Sequence, residues 1–267
     1  MALTRLKEDL ILYLGALAES ASQQPDVDSK GRVYLDLARH HRAYAICLLL
    51  EDADIDGFFH GLIQSALTWR YFLERGGAAN ASYRRASLND AFLDAVAAAQ
   101  WPLARGLASL SAQTWTQGEE YADDFAYARF LHLLIALPQP EPAALERLLA
   151  QFEGALEGGT DARLDVAKAL FVRDSEAFER AFRELLDAHA ARMKRIADPW
   201  RDSALARDYT FKPNRYVLVE GLALLHIAES LGLKVAPEYR FCPDLARRRD
   251  YAPFEPLGFP GVTLAQG

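Results

Sequence analysis

The stretch 174–195, DSEAFERAFRELLDAHAARMKR, reads as one amphipathic helix. Asp174 is a good N-cap, because its short carboxylate can accept from the free N–H groups of the first turn. Phe178, Phe182, Leu185, Leu186 and His189 recur at helical spacing and form one stripe, while Glu176/Arg180 and Glu179/Arg183 are i,i+4 pairs on the wet face. Such a helix buries one side only. The stretch 213–231, PNRYVLVEGLALLHIAESL, is different: Val217, Leu218, Gly221, Leu222, Leu224, Leu225, Ala228 and Leu231 surround it on most sides. That pattern places it in the middle of a bundle, with Pro213 at its start, where a missing N–H is harmless.

Outward from these two stretches, helical periodicity recurs in nearly every window up to about Leu231, and alternating β-branched strand patterns are absent, so the fold class is all-α. The predicted helices are 2–20, 32–50, 54–75, 87–99, 102–115, 119–137, 141–157, 161–173, 174–195 and 213–231. Ala91 to Leu110, turning at Gln100-Trp101-Pro102, and Asp165 to Leu186, turning at Arg173-Asp174-Ser175, are helical hairpins with very short turns. Pro138, Pro140, Pro142 and Gly158-Gly159 punctuate the chain between them. The expectation is stacked antiparallel helix pairs forming a bundle or short solenoid, without a fixed repeat period. Beyond Ala197 the composition changes: seven of the twelve prolines lie between Pro199 and Pro260, interleaved with Trp200, Tyr209, Phe211, Tyr239, Phe241, Tyr251, Phe254 and Phe259. So many aromatics predict that this irregular Pro/aromatic-rich segment packs down. Residues 1–267 are read as a single all-helical domain, with N-terminal helices in 1–87, a central 88–250 and a tail 251–267.

A chain of 267 residues can bury roughly three quarters of its unfolded surface and needs no staple. With 51% hydrophobic and 25% charged residues and a mean hydropathy of -0.09, it is neither disordered nor membrane-spanning in composition. Thirty Lys+Arg against thirty-seven Asp+Glu leave a net charge of -7, so the surface repels polyanions and nucleic acid is not an expected partner. Cys47 and Cys242 are too few for a disulfide framework or a Cys-rich zinc module and fit a reducing compartment. Arg5, Lys7, Glu8 and Asp9 interrupt the apolar start, which is therefore not a signal peptide. Leu3, Leu6, Leu10, Leu14 and Leu17 instead predict an amphipathic helix packed on the protein's own core, and the expected location is cytoplasmic, with no membrane partner.

No Gly-rich phosphate loop, GxSxG elbow, HExxH pair or CxxC occurs. Asp52-Ala53-Asp54-Ile55-Asp56-Gly57 copies the first six positions of an EF-hand loop, but position 12 is Ile63, so the bidentate carboxylate is missing and Asp54 reads as a helix cap. His40 and His41 are neighbours pointing about 100° apart on a helix, a poor arrangement for a shared metal. His132, His189 and His226 lie between apolar residues and read as core or boundary histidines. No catalytic, metal or cofactor residues are assigned. Glu220 is the exception among buried polar positions: inside an apolar helix it must find a cation, such as Arg207 or Arg215, or face a cleft. An enzyme built around Glu220 and the 198–216 loop would require an open cavity and a second titratable group within reach.

Two acidic clusters remain. Glu119, Glu120, Asp123 and Asp124 are expected in the first turn of one helix, and Glu51, Asp52, Asp54 and Asp56 at the start of another. On one face they would dock against a basic surface with fast, salt-sensitive association. The binding candidates by type are Glu119, Glu120, Asp123, Asp124, Trp115 and Tyr121, then Trp200 and Tyr209.

The run Tyr216 to Val235, followed by Tyr239 and Cys242-Pro243-Asp244-Leu245, resembles the C-terminal signature of the immunity protein 49 family of bacterial polymorphic toxin systems. Ala162 to His189, with Arg173-Asp174 at its turn, is similar to that family's middle, and Phe92 to Leu110 to its earlier hairpin, so the resemblance covers roughly 88–250. It implies an all-helical cytoplasmic protein that binds and neutralises one cognate toxin by covering its active site or substrate path. It brings packing positions and no catalytic residues. The alternative is a helical-repeat adaptor that binds cellular proteins or peptides without neutralising anything. Monomer and dimer are both compatible with the sequence.

Overall fold

The computed structural model describes residues 3–23, 27–75, 82–139, 141–198 and 208–254. The described residues form eleven α-helices, joined by loops and short 3-10 turns, and contain no strand. In chain order they are α1 (Leu3–Ser22), α2 (Gly31–Asp52), α3 (Ile55–Arg75), α4 (Asp90–Ala97), α5 (Trp101–Leu110), α6 (Ala122–Leu134), α7 (Pro142–Ala155), α8 (Ala162–Val172), α9 (Ser175–Ile196), α10 (Phe211–Asn214) and α11 (Val219–Ser230).

Neighbours in sequence pack as pairs: α1 on α2, α2 on α3, α4 on α5, α6 on α7 and α8 on α9. The joints follow from local chemistry. Ala53 ends α2 in the left-handed conformation (φ 51°), and Asp54 then accepts from the N–H of Gly57 at 2.8 Å, as expected of a cap. Arg173 ends α8 in the same conformation (φ 56°), and Asp174 Oδ1 accepts from Glu176 and Ala177 N–H at 2.9 and 3.0 Å. The α9 stripe buries Phe178, Phe182, Leu185 and Leu186.

The pairs close around α11, where every residue from Gly221 to Ala228 is buried and which packs on α4. The main core cluster runs from Ala21 to Ala246 and includes Phe58, Phe59, Phe130, Phe152, Phe178 and Phe182. The buried Asp94 inside it is matched on both oxygens. Arg42 of α2 donates to Asp94 Oδ1 at 2.6 Å and Asp90 Oδ1 at 2.7 Å, and Ser65 of α3 donates to Asp94 Oδ2 at 2.6 Å.

Three expected boundaries are corrected. The helix 213–231 is two pieces: Leu218 leaves the helical conformation, its N–H donates to the Phe241 carbonyl at 2.9 Å, and Pro213 sits in the four-residue α10. The helix expected to reach 115 ends at Leu110, because Ser111 is extended and Ala112 N–H donates to Arg84 O at 2.6 Å. The helix expected from 119 starts at Ala122, so Glu119 and Glu120 stand in a loop rather than in a first turn. From α11 to Phe254 the segment packs down as its aromatics predicted: Tyr239 and Cys242 are buried, and Tyr251 stacks on Phe59 with centroids 4.4 Å apart, while Trp200 and Phe259 lie outside the described residues.

Candidate functional site

The loop between α5 and α6 and the first turn of α6 carry six of the eight sequence-predicted binding residues, and the fold gathers five of them. Trp115, Glu119, Glu120, Tyr121 and Asp124 line one cleft of about 680 Å³, together with Arg85, Ser87 and Leu88. The loop is pinned from below. Arg85 Nη1 donates to the Glu119 carbonyl at 2.7 Å, Ser87 N–H donates to Glu120 Oε2 at 2.8 Å, and Trp115 Nε1 donates to the Glu120 carbonyl at 3.0 Å. Gly118 supplies a left-handed turn at φ 86°. These bonds hold two aromatic rings outward, Tyr121 at 77% exposure and Trp115 at 38%.

The four acids of this cluster are not equivalent. Glu119 is exposed, Glu120 is tied to Ser87, and Asp123 and Asp124 face Arg163 at 3.7 and 2.8 Å. Arg163 is also held by Asp161 through its Nε and Nη2 at 2.9 and 2.6 Å and lies over the Tyr127 ring at 5.2 Å. Burial opposes its charge, yet the Asp161 and Asp124 hydrogen bonds hold the guanidinium protonated more firmly than usual.

Asp124 also lines a second, smaller cleft of about 280 Å³, with Asp161, Arg163, His189, Arg192, Leu218 and Glu220. Here the expected partner of Glu220 is corrected. Glu220 Oε1 accepts from the Tyr127 hydroxyl at 2.8 Å, and the cation beside it is Arg163; Arg207 lies outside the described residues, and Arg215 sits by Tyr216 instead. Burial pushes the Glu220 carboxyl above its ordinary range, against the opposing pull of the Tyr127 hydrogen bond and Arg163. Tyr127 is driven well above the usual phenol value by burial and by Glu220. His189 falls to about 4 through burial and then Arg192 and Arg240, so its imidazole is neutral, with Nε2 buried and unpartnered. Glu220 thus faces a cleft and has a titratable neighbour within reach, yet among the described residues the lining holds no serine, threonine or cysteine as a nucleophile. What the Tyr127–Glu220 bond does in the fold is clamp α6 to the first turn of α11.

The remaining candidates lie elsewhere. Tyr209 packs on Tyr13 of α1 with centroids 4.7 Å apart, and Trp200 lies outside the described residues. The second acidic cluster is engaged within the chain: Glu51 accepts from Thr4, Asp52 pairs with Lys7 at 2.5 Å, Asp56 accepts from Ala252 N–H at 2.7 Å and Asp54 is the cap of α3. Sequence reading missed Arg85, Asp161, Arg163 and Tyr127. Asp161 two residues before Arg163 at a helix start is a local signal for the cap, whereas Tyr127 and Glu220, 93 positions apart, leave none.

Stacked helical hairpins with a rigid aromatic and acidic loop over an open cleft define an all-α scaffold with its candidate site on the surface. A family model described as Immunity protein 49 matches residues 61–246, and the chain belongs to that family. The match begins within α3, earlier than the Phe92–Leu110 hairpin, and ends in the 3-10 turn Asp244–Arg247. Comparison with curated proteins and with solved structures finds no match.

Proposed function

We propose that this protein is a single-domain immunity protein of a polymorphic toxin system, which neutralises one cognate toxin by binding over its active site or substrate path and catalyses nothing itself. The observation that carries the contact surface is the convergence of Trp115, Glu119, Glu120, Tyr121 and Asp124 on one cleft. Exposed aromatic rings on a pinned loop lose little conformational freedom on binding, which suits them as anchors. The carboxylates beside them favour a basic partner, such as the substrate channel of an enzyme acting on polyanions. Action in the cytoplasm belongs to this reading; Cys47 and Cys242 are buried and unbridged, and no described helix is long and apolar enough to cross a membrane.

The test is co-expression with the product of the adjacent toxin reading frame, read as growth rescue and co-purification. Trp115→Ala and Tyr121→Ala should each weaken the complex by about tenfold to a hundredfold. Glu119→Lys should slow association and flatten its dependence on salt. Rescue with full affinity in all three variants would remove this surface from the account, and absence of both rescue and co-purification would remove the immunity reading itself.

A further inference from the structure

Helix α1 has two faces. Leu6, Leu10, Leu14 and Ala18 are buried against the body of the protein, where α1 packs on α2. At 100° per residue, the seam Arg5, Glu8, Leu12, Gly15 and Glu19 falls on the opposite side, and all five residues are exposed. Leu12 is 73% exposed, with Ile11 at 49% and Tyr13 at 42% on its flanks. The outer seam is charged at both ends and apolar in the middle, where Leu12 stands between Ile11 and Tyr13. A Cβ added at Gly15 would meet nothing within 4 Å, so the backbone is open to close approach there.

The charges on this seam specify the occupant. With a two-fold axis at Leu12 and antiparallel helices, Leu12 meets Leu12 of the other copy on the axis, Ile11 meets Ile11 on one flank, and Arg5 faces Glu19 in two equivalent contacts, while Tyr13 on the other flank stays packed on Tyr209. Parallel pairing would instead oppose Arg5 to Arg5, Glu8 to Glu8 and Glu19 to Glu19. Among the described residues Arg5 makes no ion pair and the Glu19 carboxylate accepts from Gln23 Nε2 at 2.9 Å without facing a cation. Glu8 and Glu19 also set this face against an anionic membrane surface. We propose that the outer face of α1 is a homodimer interface, pairing antiparallel with the same face of a second copy. It lies outside residues 61–246 and does not depend on the immunity reading. A single helix pair is a small interface, so the association is micromolar and concentration-dependent.

Sedimentation velocity of the full chain, from low micromolar to several hundred micromolar, tests it. The expected result is a reversible monomer–dimer equilibrium. Leu12→Asp, Arg5→Glu and Glu19→Arg should each raise the dimer dissociation constant by about tenfold or more. Arg5→Glu/Glu19→Arg in one chain should restore dimers, and so should an equimolar mixture of the two single variants. Because these side chains are exposed, the helical circular dichroism and the melting transition should be unchanged, separating lost pairing from lost fold. A monomer throughout the range, single variants that associate like the native chain, or a double variant that stays monomeric would each overturn the proposal. So would a monomeric chain whose α1 variants lose toxin instead.

Discussion

His132 sits where α6 meets the start of α4, its Nε2 2.7 Å from Asn89 Oδ1 and its Nδ1 3.4 Å from Arg129 Nη1, with Phe92 edge-on at 4.5 Å. Asn89 accepts and Arg129 donates, so the imidazole is neutral with its proton on Nε2. Burial, and then the charge of Arg129, lowers its pKa from 6.5 to about 3, and burial followed by His40 does the same to His41. Both folded values lie below the unfolded one. Their stabilising contribution is therefore complete above pH 6.5 and is lost as pH falls from there toward 3. Asp94, raised to about 6 by burial despite Arg42, acts in the opposite direction between about pH 4 and 6, but its shift is smaller than that of either histidine. The protein should lose stability on acidification below pH 6.5. His132→Leu should cost about 1–3 kcal/mol at pH 7, by orphaning Asn89, while making the fall in urea midpoint between pH 7 and pH 5 shallower. An unchanged slope would sink the assignment to His132. None of this was legible in the sequence beyond a histidine between apolar residues, because Asn89 and Phe92 reach His132 only through the fold.

At the scale of elements, the contact of α2 with α3 depends on two small residues. A Cβ at Gly61 would come within 2.6 Å of Ala45 Cβ and 3.2 Å of Ala45 Cα, so the helices approach as closely as they do only because that methyl group is missing. Gly61→Ala should therefore destabilise the protein by about 1–3 kcal/mol despite its better helix propensity, measured as a lower urea midpoint with an unchanged slope. A gain in stability would contradict the packing. The helices themselves were plain in the sequence wherever a stripe or a cap is local, as with Asp174 and the Phe178–Leu186 stripe. Their ends were less plain. Glu119 to Ala122 has the residue types of a helix start, yet Glu120 is drawn to the Ser87 N–H and the helix begins later. The break before α11 needs the Phe241 carbonyl as acceptor for Leu218 N–H, a partner 23 positions on.

At the scale of the whole molecule, the C-terminal segment returns to the N-terminal half. Tyr251 Oη donates to the Ala98 carbonyl at 2.6 Å and accepts from Gln100 Nε2 at 2.8 Å, and its ring stacks on Phe59. Beside it, Ala252 N–H donates to Asp56 at 2.7 Å and the His60 ring reaches the Ala252 carbonyl at 2.9 Å. Tyr251→Ala removes a stacked ring and two hydrogen bonds that join α3 to the α4–α5 turn. It should cost about 2–4 kcal/mol and raise amide exchange around Phe59 and Gln100, whereas Tyr251→Phe should cost about 1 kcal/mol. Normal protection of both regions in Tyr251→Ala would show that the segment is not a strap.

The residue order by itself determined the all-α class, the hairpins, the central helix, the packing-down of the aromatic stretch between α11 and Phe254 and the family, because helical periodicity, caps and apolar runs act over a few residues. It also named the residue types of the candidate contact surface. Tertiary structure decided which of them meet: five around one cleft, Tyr209 on α1, and the acids near Asp54 engaged within the chain. It alone paired Glu220 with Tyr127 and left Leu12 uncovered. The physical reason is range: burial, desolvation and charge pairing depend on neighbours tens to hundreds of positions away, which no local pattern encodes.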